Sequence, residues 1–134
     1  PAGTAGTVAD SVATSELTQS LAYLPLNTTG PAVTLTIPAS GRVLVSVTSG
    51  MTGSSGAVSC VMSFAGTGAN IFAASDANAV TLSAGTLQRS SATSVLTLPS
   101  AGSTTFTAMY KREGGGGAAT CAFVNRSIMA IPLP

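Results

Sequence analysis

Apolar residues recur at every second position along most of this chain. Val33, Leu35 and Ile37 share one parity, and Thr34 and Thr36 take the other. After the turn residues Pro38-Ala39-Ser40-Gly41 the pattern resumes with Val43, Val45 and Val47. It returns at Val58, Cys60, Met62 and Phe64, at Phe106, Ala108 and Tyr110, and at Cys121 and Phe123. Shorter runs surround Val80 and Leu82, then Leu96 and Leu98. Successive side chains of a strand point to opposite faces, so period two is the signature of half-buried strands. Strand and turn alternate about every dozen residues, the spacing of an all-β sandwich or barrel. The most helix-like stretch, residues 10–21, is rich in Ser and Thr, which weaken helices. It reads as a loop entering a first strand at residues 21–26. The expected organisation is a leader or stalk remnant over 1–15 and one β domain over 16–134. Gly3 and Gly6 in the leader have the spacing of a collagen triple helix.

Two segments depart from simple alternation. In residues 21–26, Leu21 and Tyr23 lie on one parity and Leu24 and Leu26 on the other. Residues 127–133 carry Ile128, Met129, Ile131 and Leu133, again on both parities. Apolar side chains on both faces of a strand call for cover on both faces. The chain offers no convincing helix to supply it. A second copy of the chain is the economical cover, since oligomer interfaces resemble a core cut in half.

Charge excludes several functions. Only 7% of the 134 residues are charged and the net charge is +1. Arg42, Arg89, Lys111, Arg112 and Arg126 are scattered, so no basic stripe exists to neutralise a nucleic-acid backbone. No apolar run approaches the roughly 20 residues of a membrane-spanning helix. A surface of Ser, Thr, Gly and Ala points to an extracellular, secreted or surface-attached protein. The chain has no His. Its acids, Asp10, Glu16, Asp76 and Glu113, are dispersed, so no carboxylate pair is evident for acid–base work. The serines lack a histidine base, and a zinc ligand set cannot be assembled. The reading is a non-enzymatic protein with no cofactor and no metal. Asp76 and Asn78 mark a polar turn rather than a calcium site, and residues 112–117, with four consecutive glycines, mark a hairpin tip.

Cys60 and Cys121 each sit in an alternating segment. If those strands face each other a disulfide can form. The alternative is two separate buried thiols acting as small hydrophobes.

With strands in this number and a doubly apolar closing segment, the chain resembles the tumour-necrosis-factor and complement-globular-head superfamily. The resemblance rests on residues 33–51, "VTLTIPASGRVLVSVTSGM", where a strand ends at Pro, turns through Gly and enters a long inner strand. It rests equally on residues 123–133, "FVNRSIMAIPL", similar to that family's closing strand. Bacterial members that follow collagen-like stalks are similar too. Where the family carries aromatics after the turn glycine, this chain has Val43, Leu44 and Val45. The resemblance implies a jelly roll of about eight to ten antiparallel strands, assembled as a homotrimer. Its interface is then expected at Tyr23, Leu24, Leu26, Tyr110, Phe123, Ile131 and Leu133. The implied role is a recognition and trimerisation head presenting loops near 50–56, 66–78 and 113–117 to a receptor or glycan. A structural tip of a phage or virus is the alternative. A carbohydrate-binding sandwich is a further one, with only Tyr23 and Tyr110 available for stacking on sugars.

Overall fold

The computed structural model describes residues 6–134; Gly3 of the collagen-like spacing lies outside them. The strands are β1 (Val8–Val12), β2 (Glu16–Thr18), β3 (Ala32–Ile37), β4 (Arg42–Gly53) and β5 (Ser59–Gly68). After a 3-10 turn at Asp76–Asn78 come β6 (Val80–Ser83), β7 (Gln88–Thr97), β8 (Gly102–Glu113) and β9 (Cys121–Pro132). The first sheet has the order β1-β9-β4-β7, with β2 also paired to β9; the second has the order β3-β8-β5-β6. All pairings are antiparallel. The chain crosses between sheets at nearly every connection, which makes the domain a jelly-roll β-sandwich.

Alternation in sequence becomes burial in space. Along β4, Val43, Val45, Val47 and Met51 are fully buried, while Leu44, Ser46 and Thr48 are half-exposed. Facing strands contribute Cys60, Met62, Phe64, Phe106, Ala108 and Tyr110 to the same core. Phe64 meets Phe72 and Phe106 edge-on, with ring centroids 6.1 and 6.0 Å apart, the arrangement that aromatic quadrupoles favour. Gly66 makes room for this cluster: a Cβ there would lie 2.1 Å from the Phe72 ring. Cys60 on β5 and Cys121 on β9 are bonded across the sandwich, with Cα atoms 5.5 Å apart. At the tip after β8, Gly114, Gly115 and Gly116 have φ of 74°, 80° and 84°, which a side chain would resist.

Three placements differ from the sequence expectations. Pairing begins at Val8, because β1 and β2 run along β9 within the segment read as leader and loop. Short strands rich in Ser and Thr carry too few apolar residues to announce themselves. Residues 21–26 form no strand; only Leu24 makes a bridge, to Tyr110. Residues 50–53, 66–68 and 113, expected in loops, instead end β4, β5 and β8.

Candidate functional site

The expected interface residues do not gather on one surface. Tyr110 and Phe123 are fully buried between the sheets, with ring centroids 4.8 Å apart. Leu26 is 6% exposed and belongs to the same core. These three are core residues of a single subunit and cannot reach another one. Their sequence parity was inward, and the sandwich uses it that way. Tyr23 sits outside the second sheet, where its hydroxyl donates to Asp76 Oδ1 and its ring lies 4.6 Å from Lys111 Nζ. Leu24 is exposed beside β8, its N–H donating to Tyr110 O. Ile131 lies on the outer side of the first sheet, and the Leu133 N–H prolongs the β9–β4 ladder by donating to Arg42 O.

That outer side is the most distinctive surface of the molecule. Register places Val95, Leu44 and Ile131 in one cross-strand row. The next row holds Thr93, Ser46, Met129 and Ala9, and the one after it Ser91, Thr48, Ser127 and Ser11. Beyond a bulge come Arg89, Gly50 and Val124, then Thr52, Ala122 and Leu17. Arg89 is the only ionisable side chain in these rows. Val95 is 55% exposed and Met129 36%. Hydrogen bonds on this face stay among its own strands, from Thr93 Oγ1 to Ser46 Oγ and from Arg89 Nη1 to Asn125 O.

The outside of the second sheet is different. It presents hydroxyls, with Thr34 and Thr105 oxygens 2.8 Å apart. Part of it is roofed by its own chain: Ser63 is fully buried and its Oγ donates to Ser75 O in the loop above. Lys111 pairs there with Asp76 and Glu113, each at 3.0 Å. The Tyr23 hydroxyl and the Lys111 ammonium hold the Asp76 carboxyl below its usual range. Burial, helped by the carboxylate it donates to, pushes the Tyr23 hydroxyl up.

A polar centre inside the sandwich escaped the sequence reading. Arg126 on β9 is fully buried, and its Nη2 is 2.9 Å from Glu16 Oε1. Its Nη1 donates to Gly30 O at 3.2 Å, and its guanidinium lies 5.2 Å from the Tyr110 ring centre. Its Nε has no hydrogen-bond partner among the described residues. Glu16 also accepts from the Thr28 N–H and hydroxyl at 2.9 and 2.6 Å. Those two bonds, then Arg126, hold the Glu16 carboxyl below its usual range. Burial pushes the Tyr110 hydroxyl up to about 12. One signal was available: inward parity is odd at Cys121 and Phe123 but even at Ile128. Only a bulge reconciles the two, and it falls at Asn125, whose φ is 49°.

Each of the four acids is engaged by partners within the chain. Asp10 accepts from the Ala32 N–H, Glu16 binds Arg126 and Thr28, and Asp76 and Glu113 bind Lys111. Asp76 is therefore occupied by Tyr23 and Lys111 rather than poised for a cation. Among the described residues, no three His, Cys, Asp or Glu side chains cluster. No helix among them is long and apolar enough to cross a membrane.

No protein-family model matches the chain, and no curated protein matches it. Among solved structures, the Eiger TNF of S. frugiperda is similar over 96% of this chain and 94% of that one, at 11% identity and a TM-score of 0.42. The jelly-roll assignment rests on the strand order above.

Proposed function

We propose that the chain is a non-enzymatic homotrimeric recognition and trimerisation head, acting outside the cell on a secreted or surface-attached protein. The observation that carries the reading is the outer face of the first sheet, whose row of Val95, Leu44 and Ile131 lies beside Met129, with the face's cations, Arg42 and Arg89, toward its ends. An apolar side chain moved from water into an interface stabilises by roughly 1.5–3 kcal/mol. Four such residues per subunit are a sound basis for association, and the core of an interface is where charge is depleted. The count of three comes from the likeness of residues 33–51 and 123–133 to the tumour-necrosis-factor and complement-head families. A trimer shows three equivalent loop sets, so weak contacts with a receptor or glycan gain by avidity without new chemistry. A collagen-like stalk before residue 1 fits the glycine spacing of the leader.

The test is solution mass. Sedimentation of the wild type is expected to give about 39 kDa, three times the 13.0 kDa chain. Ile131→Asp puts a charge on the outer row without entering the core. The variant is expected to keep its β-sheet circular dichroism and sediment as a monomer. A wild type that is monomeric at about 100 µM, well above the dissociation constants of stable oligomers, or a variant that stays trimeric, overturns the reading.

A further inference from the structure

A cavity of about 410 Å³ lies between the end of β7 and the segment that follows β5. Its walls come from both sheets. The first contributes Leu96, then Leu98 and Pro99 just beyond β7. The second contributes Phe72, with Ile71, 83% exposed, at the rim. Leu96, Leu98 and Phe72 rest on the hydrophobic core and form the floor. Leu96 stands opposite Val43, which is fully buried, so its side chain points inward. The cavity therefore opens between the sheets. It takes no residue from the outer row of Val95, Leu44 and Ile131.

The walls are held by bonds that need no ligand. Asn70 donates to Ser100 O and Thr104 Oγ1 and accepts from the Ser100 N–H. Phe72 exchanges two backbone hydrogen bonds with Gly66, and Ser63 Oγ donates to Ser75 O. A preformed, mostly apolar cavity of roughly 300–1,000 Å³ with a few polar groups is the usual form of a small-molecule site. No lining residue is ionisable. The neighbouring Asp76 is held by Tyr23 and Lys111 and does not line the cavity. Two polar side chains do: Ser75 and Asn78, three residues apart across the 3-10 turn and so on one side of it. Ser75 Oγ accepts from the Ala77 N–H, and its own proton has no acceptor among the described residues. The backbone N–H of Asn78 goes to Ser75 O, while its side-chain amide makes no hydrogen bond among those residues.

We propose that this cavity binds a small, neutral aromatic molecule carrying a carbonyl oxygen. Its ring lies against Phe72, Leu96 and Leu98, and its oxygen accepts from the Ser75 hydroxyl and the Asn78 amide. Each part of that description follows from the lining. A charged group taken inside would lose water and find no partner. The ring of Phe72 favours another aromatic ring in offset or edge contact. Two donors free on one wall call for an acceptor, which a purely hydrocarbon guest lacks. The inference is independent of the trimer reading, since no residue of the outer row takes part.

The probe is prodan, a neutral naphthyl ketone whose fluorescence rises and shifts to the blue in apolar surroundings. The full chain is titrated into a fixed low concentration of it. The expected dissociation constant is about 10–100 µM, at one site per chain. Unlabelled 2-acetylnaphthalene is expected to displace the probe. 2-Naphthoate, of the same size but charged, should do so at least about tenfold less well. Ile71→Ser at the rim and Asn78→Ala on the wall are each expected to weaken binding about three- to tenfold. Leu21→Ser removes an apolar side chain, 64% exposed, away from the cavity and is expected to leave binding unchanged. No fluorescence response at about 500 µM chain overturns the proposal, that being well above the expected dissociation constant. So does equal displacement by the naphthoate, or an affinity indifferent to both Ile71→Ser and Asn78→Ala.

Discussion

The disulfide between Cys60 and Cys121 spans 61 positions of sequence and joins β5 to β9. In the chain-entropy account, closing such a loop removes about 14 cal/mol/K from the unfolded state, or about 4 kcal/mol at 25 °C. The unfolding entropy of a 134-residue chain is about 0.28 kcal/mol/K at the usual 2.1 cal/mol/K per residue. The reduced protein is therefore expected to melt about 15 °C lower. The comparison uses the wild type, reduced while unfolded and then refolded, because this keeps both sulfur atoms in the core and opens no cavity. Protein concentration is held fixed, since association also raises the melting temperature. Both cysteines are fully buried, so dithiothreitol is expected to act on the native protein only as fast as it unfolds. The loss should also appear chiefly as slower folding, because the crosslink acts on the unfolded chain. A fall of less than about 5 °C, or an equal fall expressed as faster unfolding alone, refutes the entropic reasoning.

The Arg126–Glu16 pair gives an asymmetric prediction. Glu16→Gln leaves a fully buried guanidinium uncompensated, whereas Arg126→Met leaves a carboxylate that still accepts two bonds from Thr28. Thermal melts at pH 7 are expected to show Glu16→Gln as the more damaging change. The Glu16 carboxyl is held below its ordinary value of 4.5. Its contribution is therefore present above that value and is lost as pH falls through the lower folded-state value. The gap between wild type and Glu16→Gln should close in melts below pH 4.5, and a constant gap contradicts the assignment. Gly66→Ala forces a methyl into the Phe72 ring and should cost about 1–3 kcal/mol in urea unfolding, with partial rescue by Phe72→Leu. Tyr23→Ala should free Asp76 and Lys111 and lower the melting temperature slightly without changing the sedimented mass.

Period two made the seven longer strands legible, most clearly where a strand buries a row of apolar side chains; β7, whose inward row of Ser90, Ala92, Ser94 and Leu96 is only half-buried, showed just its last part. It also placed the two cysteines on inward positions. It failed at β1 and β2, whose burial is slight: residues 8–12 hold only two half-buried positions, Val8 and Val12. Those strands exist because β9 offers an edge, a tertiary cause that local sequence does not record. The pairing of Glu16 with Arg126, 110 positions apart, was equally out of reach. The parity change at Asn125 announced a bulge but not what the bulge turns inward.

The inference from doubly apolar segments met two outcomes, and the difference is physical. At residues 21–26 the chain covers only part of the segment and leaves Leu21 and Leu24 64% and 51% exposed. Leu26 enters the core, and Tyr23 is closed in by Lys111 and Asp76. At residues 127–133, Ile128 and Ala130 fill the core, while Met129 and Ile131 lie on a face whose hydrogen bonds bring in no loop. Parity counts faces that need cover; it does not say whose atoms supply it. A roof from the same chain leaves a trace in polar contacts, as Ser63 with Ser75 does on the second sheet. The outer rows of the first sheet carry no such trace. Their apolar side chains are for that reason the ones whose replacement by a charge should change assembly rather than folding.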